Sequence, residues 1–224
     1  MLLAFAAVSC SVDDRAKELS ASFSGRLVDA DTGENVPVEY STATLLLGDN
    51  GFNPLQPVSY YIYPDGTFKN DKVYPGNYEI YAQGAFKQVD TLHAYDLKGS
   101  CNFDIKVVPN VNLKVKDISV TSAGKCKATV EYAVNADATS LEISILWSQY
   151  PYPGAVTASI DDKDSAYSHQ KKYMVSGKAG SSSLTSGALD KGVTYYCRVG
   201  AKVQGSDYWN YTTQYMVTTE GVIE

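Results

Sequence analysis

Cys126-Lys127-Ala128-Thr129-Val130-Glu131-Tyr132-Ala133-Val134 alternates over its whole length. Successive side chains of a strand point to opposite faces. Cys126, Ala128, Val130, Tyr132 and Val134 therefore share an inward face. Leu141-Glu142-Ile143-Ser144-Ile145-Leu146-Trp147 follows the same rule, with Trp147 inward. No long window places apolar residues at i, i+3, i+4 and i+7, the helical spacing. Asp13 to Leu19 is too short and polar for a helix that matters. Alternation punctuated by turns predicts an all-β chain.

Outward from that stretch, the 224 residues divide into two units. The first spans residues 21–108. Its strands are Phe23 to Asp29, Thr42 to Leu47, Val58 to Tyr63, Asn77 to Ala82 and Cys101 to Val107. Asp31-Thr32-Gly33-Glu34, Pro64-Asp65-Gly66 and Pro75-Gly76 supply turns, with Gly33 free to take positive φ. The second spans residues 109–224. Val111 to Val120 is its first strand, bent in the middle. Tyr195, Cys197, Val199 and Ala201 face the core of a later strand. Gln204-Gly205-Ser206-Asp207 forms a hairpin turn into a last strand, Tyr208 to Thr218.

Three pieces of the first unit carry a resemblance: Gly25 to Glu34, Asp65-Gly66-Thr67-Phe68, and Val73-Tyr74-Pro75-Gly76-Asn77-Tyr78. In this order they resemble the transthyretin-like regulatory domain of carboxypeptidases. That implies a spacer or docking module rather than a catalyst. In the second unit, Leu189-Asp190-Lys191-Gly192-Val193-Thr194-Tyr195 resembles the tyrosine corner of immunoglobulin-like and fibronectin type III sandwiches. The expected fold is two β-sandwich domains in series, transthyretin-like and then fibronectin type III/immunoglobulin-like. Cys126 and Cys197 occupy the strands bridged in antibody domains. A disulfide and a pair of packed free thiols both remain open.

Met1 to Ser9 is apolar, uncharged and ends in small residues; Cys10 closes it. It is too short to span a bilayer, which needs about 20 apolar residues. It resembles a bacterial lipoprotein signal, with Cys10 as the lipidation site. Residues 1–10 are then a signal remnant and 11–20 a flexible tether. Asp13-Asp14 resembles the export tag of Bacteroidetes surface lipoproteins. That implies a lipid-anchored protein of the outer membrane facing the cell exterior. The whole chain resembles a domain-of-unknown-function family of two-domain Bacteroidetes lipoproteins from polysaccharide utilisation loci. The implied partners are the outer-membrane transporter and substrate-binding lipoprotein of the same locus.

A net charge of −6 argues against nucleic acid, which demands a basic patch. His93 and His169 lack ligand-like spacing, so no metal and no cofactor are expected. No nucleophile-elbow sequence occurs. The acidic run Asp161-Asp162-Lys163-Asp164-Ser165 lacks the glycine and spacing of a calcium loop and reads as a solvated loop. The chain is therefore expected not to be an enzyme.

Tyrosine is abundant, 18 against 6 Phe. It clusters at Tyr60-Tyr61-Ile62-Tyr63, Tyr150-Pro151-Tyr152 and Tyr208-Trp209-Asn210-Tyr211. Rings stack on the C–H face of a sugar while Asn and Asp bond its hydroxyls. Strand alternation turns part of each cluster inward, so any single ring can equally be a packing residue; Trp209, beside Asp207, Tyr208, Asn210 and Tyr211 at the hairpin tip, is the best candidate for an exposed platform. Tyr150 and Tyr152 come second. The leading expectation is a non-catalytic, glycan-binding accessory lipoprotein. The competing one is a stalk or docking module that touches no glycan. Burial of Trp209, Tyr150 and Tyr152 would favour the latter.

Overall fold

The computed structural model describes residues 18–156 and 168–223. Cys10, the signal segment 1–10, tether residues 11–17 and the acidic run 161–165 lie outside them. The chain is all-β, with no helix among the described residues.

The N-terminal strands are β1 (Ala21–Asp29), β2 (Thr44–Asp49), β3 (Val58–Tyr61), β4 (Thr67–Val73), β5 (Gly76–Gln83), β6 (Phe86–Gln88), β7 (Leu92–Leu97) and β8 (Ser100–Pro109). They form two four-stranded sheets, β4-β1-β8-β6 and β3-β2-β5-β7. β1 is antiparallel to β4 and parallel to β8. Between the sheets Phe23, Phe68 and Phe103 pack with centroids 5.4 to 6.2 Å apart. Each buried ring contributes roughly 1.5–3 kcal/mol. Gly25 makes room for them. A Cβ there would lie 1.7 Å from the Phe103 carbonyl oxygen and 2.7 Å from the Phe68 ring. Alternation sorts the tyrosine-rich strand as the pleat requires. Tyr60 packs edge-on against Phe23 and Ile62 is buried, while Tyr61 and Tyr63 are exposed.

The C-terminal strands are β9 (Val111–Val120), β10 (Lys125–Val134), β11 (Ser140–Ser148), β12 (His169–Ser176), β13 (Ala179–Ala188), β14 (Tyr195–Val203), β15 (Asn210–Tyr211), β16 (Tyr215–Thr218) and β17 (Gly221–Val222). One sheet runs β13-β10-β9. The other runs β12-β11-β14-β16-β17, with β15 also on β14. The bend in β9 is a bulge. Val115 faces Val130 and Asp117 faces Thr129, leaving Lys116 as the extra residue. The core holds the inward faces of β10, β11 and β14, with Trp147 packed at its margin.

Tyr195 sits in this core, and its hydroxyl donates to Asp190 Oδ2 at 2.8 Å. The tyrosine corner here closes on a carboxylate. Cys126 and Cys197 are buried free thiols. A hydrogen bond with Cys126 and burial push the Cys197 thiol well up.

Two expectations are corrected. The last strand, Tyr208 to Thr218, is broken into β15 and β16 at Thr212, whose N–H still donates to the Val199 carbonyl while its side chain replaces its own carbonyl in the return bond. Its hydroxyl accepts from Val199 N–H and donates to the Thr213 carbonyl. The strands β6, β7, β12, β13 and β17 were not foreseen. β13 reads Ala-Gly-Ser-Ser-Ser-Leu-Thr-Ser-Gly-Ala and is set by its ladder with β10 rather than by apolar alternation.

Candidate functional site

Trp209 is not an exposed platform. It is 5% exposed, in a small cluster with Leu146, Ala155 and Tyr211. The cause lies on the outer face of the β11–β14 sheet. Leu146 points away from the main core and needs a cover, and Trp209 supplies it. Lys172 and Lys202 place their ammonium groups 5.9 and 5.4 Å from its ring centroid. Tyr211 seats on Gly200, where a Cβ would come within 2.8 Å of the ring. Asn210 is 3% exposed and joins the two sandwiches. Its Oδ1 accepts from Val111 N–H at 2.9 Å, and its Nδ2 donates to the Ala85 carbonyl at 2.8 Å. Of the hairpin cluster, Asp207 and Tyr208 alone are exposed.

The junction is held by two side chains that alternation did not single out. Arg198 lies on the outer face of β14 yet is 1% exposed. Its Nε donates to the Pro153 carbonyl at 2.6 Å, Nη1 to Val38 at 3.1 Å and Nη2 to Tyr152 at 3.4 Å. The guanidinium carbon is 4.0 Å from the Tyr211 centroid. Glu39, from the N-terminal sandwich, is also 1% exposed. Its carboxylate accepts from Ala155 N–H, Val156 N–H and the Tyr211 hydroxyl. Gly154 permits this approach, since a Cβ would fall 2.0 Å from Glu39 Oε1.

Burying ions costs several kcal/mol apiece unless each is bonded. Here every fork of the guanidinium has a carbonyl. Burial lowers the Arg198 pKa to about 10, so it stays charged at neutral pH. Burial, then the adjacent Glu39 charge, pushes the Tyr211 phenol well up.

Tyrosines surround this latch on the surface. Tyr40, next to Glu39, is 53% exposed and pairs with Tyr61, 55% exposed. Their centroids are 5.2 Å apart with planes at 34°. Tyr150 and Tyr152 are exposed at 56% and 37%. Tyr152 adopts φ 59°, a left-handed conformation that costs a non-glycine residue about 1 kcal/mol or more. Its N–H donates to Gln214 Oε1 at 2.6 Å, and its carbonyl accepts from Arg198. Arg198 thus bridges the backbone two residues before Tyr40 to the backbone of Tyr152. The second predicted cluster, Tyr150 and Tyr152, is on the surface, and its backbone is tied to the Tyr40 segment through Arg198.

A groove of about 840 Å³ also opens between the sandwiches. The turn after β1, the start of β9 and residues 210–213 and 215 contribute to its walls.

Comparison with known proteins bears on the N-terminal unit first. Residues 21–108 match the DUF3823 N-terminal domain, a protein family of unknown function. DUF3823 proteins of known structure share the fold over both sandwiches. One from Parabacteroides merdae superposes with a TM-score of 0.69 at 18% identity, covering 88% of this chain and 98% of that one. Another, from Bacteroides uniformis, gives 0.67 at 19%, covering 89% and 99%. A further Bacteroides uniformis structure, described as a "putative carbohydrate binding protein", gives 0.71 at 18%, covering 89% and 99%. At such identities the likeness is one of fold. No curated protein matches the chain in sequence.

Proposed function

We propose that this chain is a non-catalytic, lipid-anchored protein of the outer membrane, facing the exterior, that captures carbohydrate for an uptake system. The observation that carries the ligand class is the set of surface tyrosines Tyr40, Tyr61, Tyr150 and Tyr152 at a latched junction. Exposed rings in fixed orientation offer apolar faces to sugar C–H groups, with hydroxyl edges for bonding. The strain at Tyr152 supports a presented, not an incidental, ring. The Bacteroides uniformis structure described above is in keeping with the same ligand class. Affinity electrophoresis against a polysaccharide panel tests the reading. Retardation by a glycan supports it, and migration unchanged by every glycan overturns it.

A stalk or docking role is the second reading, favoured by the burial of Trp209 and by the Arg198–Glu39 latch, which stiffens the two sandwiches into one body. Co-purification with the transporter and substrate-binding lipoprotein of its locus, without glycan retardation, is the outcome that reading expects.

A further inference from the structure

We infer that the groove between the sandwiches is a second binding site, distinct from the surface tyrosines, and that it takes a neutral, hydroxyl-rich oligosaccharide segment. The ligand class rests on the carbohydrate reading above; the place and the charge selectivity do not.

The groove volume, about 840 Å³, falls within the roughly 300–1,000 Å³ of small-ligand sites. Its walls are preformed. Asn210 ties the N-terminal sandwich to β9 at one wall, and the Arg198–Glu39 latch fixes the same junction. A site that needs no closure spends little binding energy on ordering itself.

The charges on its lining are unequal. Asp29, Glu34 and Glu131 contribute carboxylates, against the single ammonium of Lys114. Two of the three carboxylates are engaged. Asp29 Oδ1 accepts from the N–H groups of Asp31 and Thr32 in the turn, and Glu131 pairs with Lys116 at 3.3 Å. The Glu34 side chain stands exposed on the turn at the rim. An anionic ligand meets net repulsion in such a groove, whereas a sugar hydroxyl finds acceptors. Asn112 adds one more acceptor. Its Oδ1 is buried without a hydrogen-bond partner. The amide torsion is soft, so a small turn presents that oxygen to a donor in the groove. The half-buried Tyr215 offers the one accessible ring among these walls for stacking.

Isothermal titration calorimetry on the full chain tests this. The probes are the neutral malto-, cello-, xylo- and mannohexaose, with the oligogalacturonate hexamer as the anionic counterpart. Ser181→Arg with Thr213→Arg blocks the groove at two exposed positions. Tyr40→Ala with Tyr61→Ala removes surface rings instead. An unchanged melting temperature in each variant certifies its fold. The inference expects a neutral hexaose to bind, the blocked groove to weaken it about tenfold or more, and the galacturonate to bind far less. Binding lost with the tyrosines but unchanged in the blocked groove overturns the inference and leaves the carbohydrate reading standing. Galacturonate binding as tight as the neutral sugars overturns the charge selectivity. Binding of no sugar overturns both.

Discussion

Arg198, on a strand of the C-terminal sandwich, donates to the carbonyl oxygen of Val38 in the N-terminal sandwich at 3.1 Å. One guanidinium thereby joins segments 160 residues apart. The next residue, Glu39, returns the contact by accepting two backbone N–H groups of the other sandwich. This reciprocal exchange makes the relative placement of the sandwiches a matter of specific bonds rather than of linker length.

Removing one partner should be costly. Arg198→Met leaves three carbonyls without their donor and the Glu39 carboxylate without its nearby cation. A loss of about 3–5 kcal/mol is expected from urea unfolding. Glu39→Gln should cost less alone, and the double variant should cost less than the sum of the two.

Gly154→Ala should destabilise the chain by about 1–3 kcal/mol, because the added methyl enters the space of the Glu39 carboxylate. Coupling this change with Glu39→Ala, which vacates that space, should recover part of the loss. A Gly154→Ala chain as stable as the native one would contradict the packing described.

Alkaline pH should weaken the fold. The pKa values of Tyr60, Tyr78, Tyr95, Tyr195 and Tyr211 are all raised from 10.0, chiefly by burial. A phenol whose folded pKa is raised contributes stability that is complete below its unfolded pKa and is lost as pH rises above it. Arg198 acts oppositely. Its folded pKa of about 10 lies below the unfolded 12.5, so its burial penalty shrinks as pH climbs between those values. Five phenols against one guanidinium give a net fall above about pH 10. Urea midpoints between about pH 9 and pH 11 should show it.

Cys126 and Cys197 should behave as slow thiols. In a Cys10→Ser chain, Ellman's reagent should find Cys101 first, since it is only partly buried, and the other two on denaturation. Denaturation that releases no further thiol would show a bridge between them.

The alternating strands were legible in the sequence because each packs one face on a core of its own, as in β10, where Cys126 to Val134 alternate as read. The strands missed are those whose register comes from a neighbour. β13 has Ser at 181, 182 and 183 and is a strand by pairing with β10. The candidate site was half legible. Tyr150 and Tyr152 were second candidates for exposed rings, and both are at the surface. Trp209 was read as the exposed ring and is buried instead, because a hairpin tip in sequence folds back over Leu146, an outward apolar residue whose need for cover no local pattern displays. Arg198 carried a faint signal, a charged residue between Cys197 and Val199, in a stretch from Cys197 to Ala201 that is buried on both faces. Its partner Glu39 lies in the other sandwich, and no spacing rule reaches that far.

The most direct test of carbohydrate capture at the junction is affinity electrophoresis of the native chain beside Tyr40→Ala/Tyr61→Ala/Tyr152→Ala, in gels containing one polysaccharide each. All three rings are exposed, so the variant should fold. The account predicts retardation of the native chain by at least one polysaccharide and a marked loss of that retardation in the variant. Equal retardation of the two would contradict the tyrosine site, and no retardation of either would contradict carbohydrate capture itself.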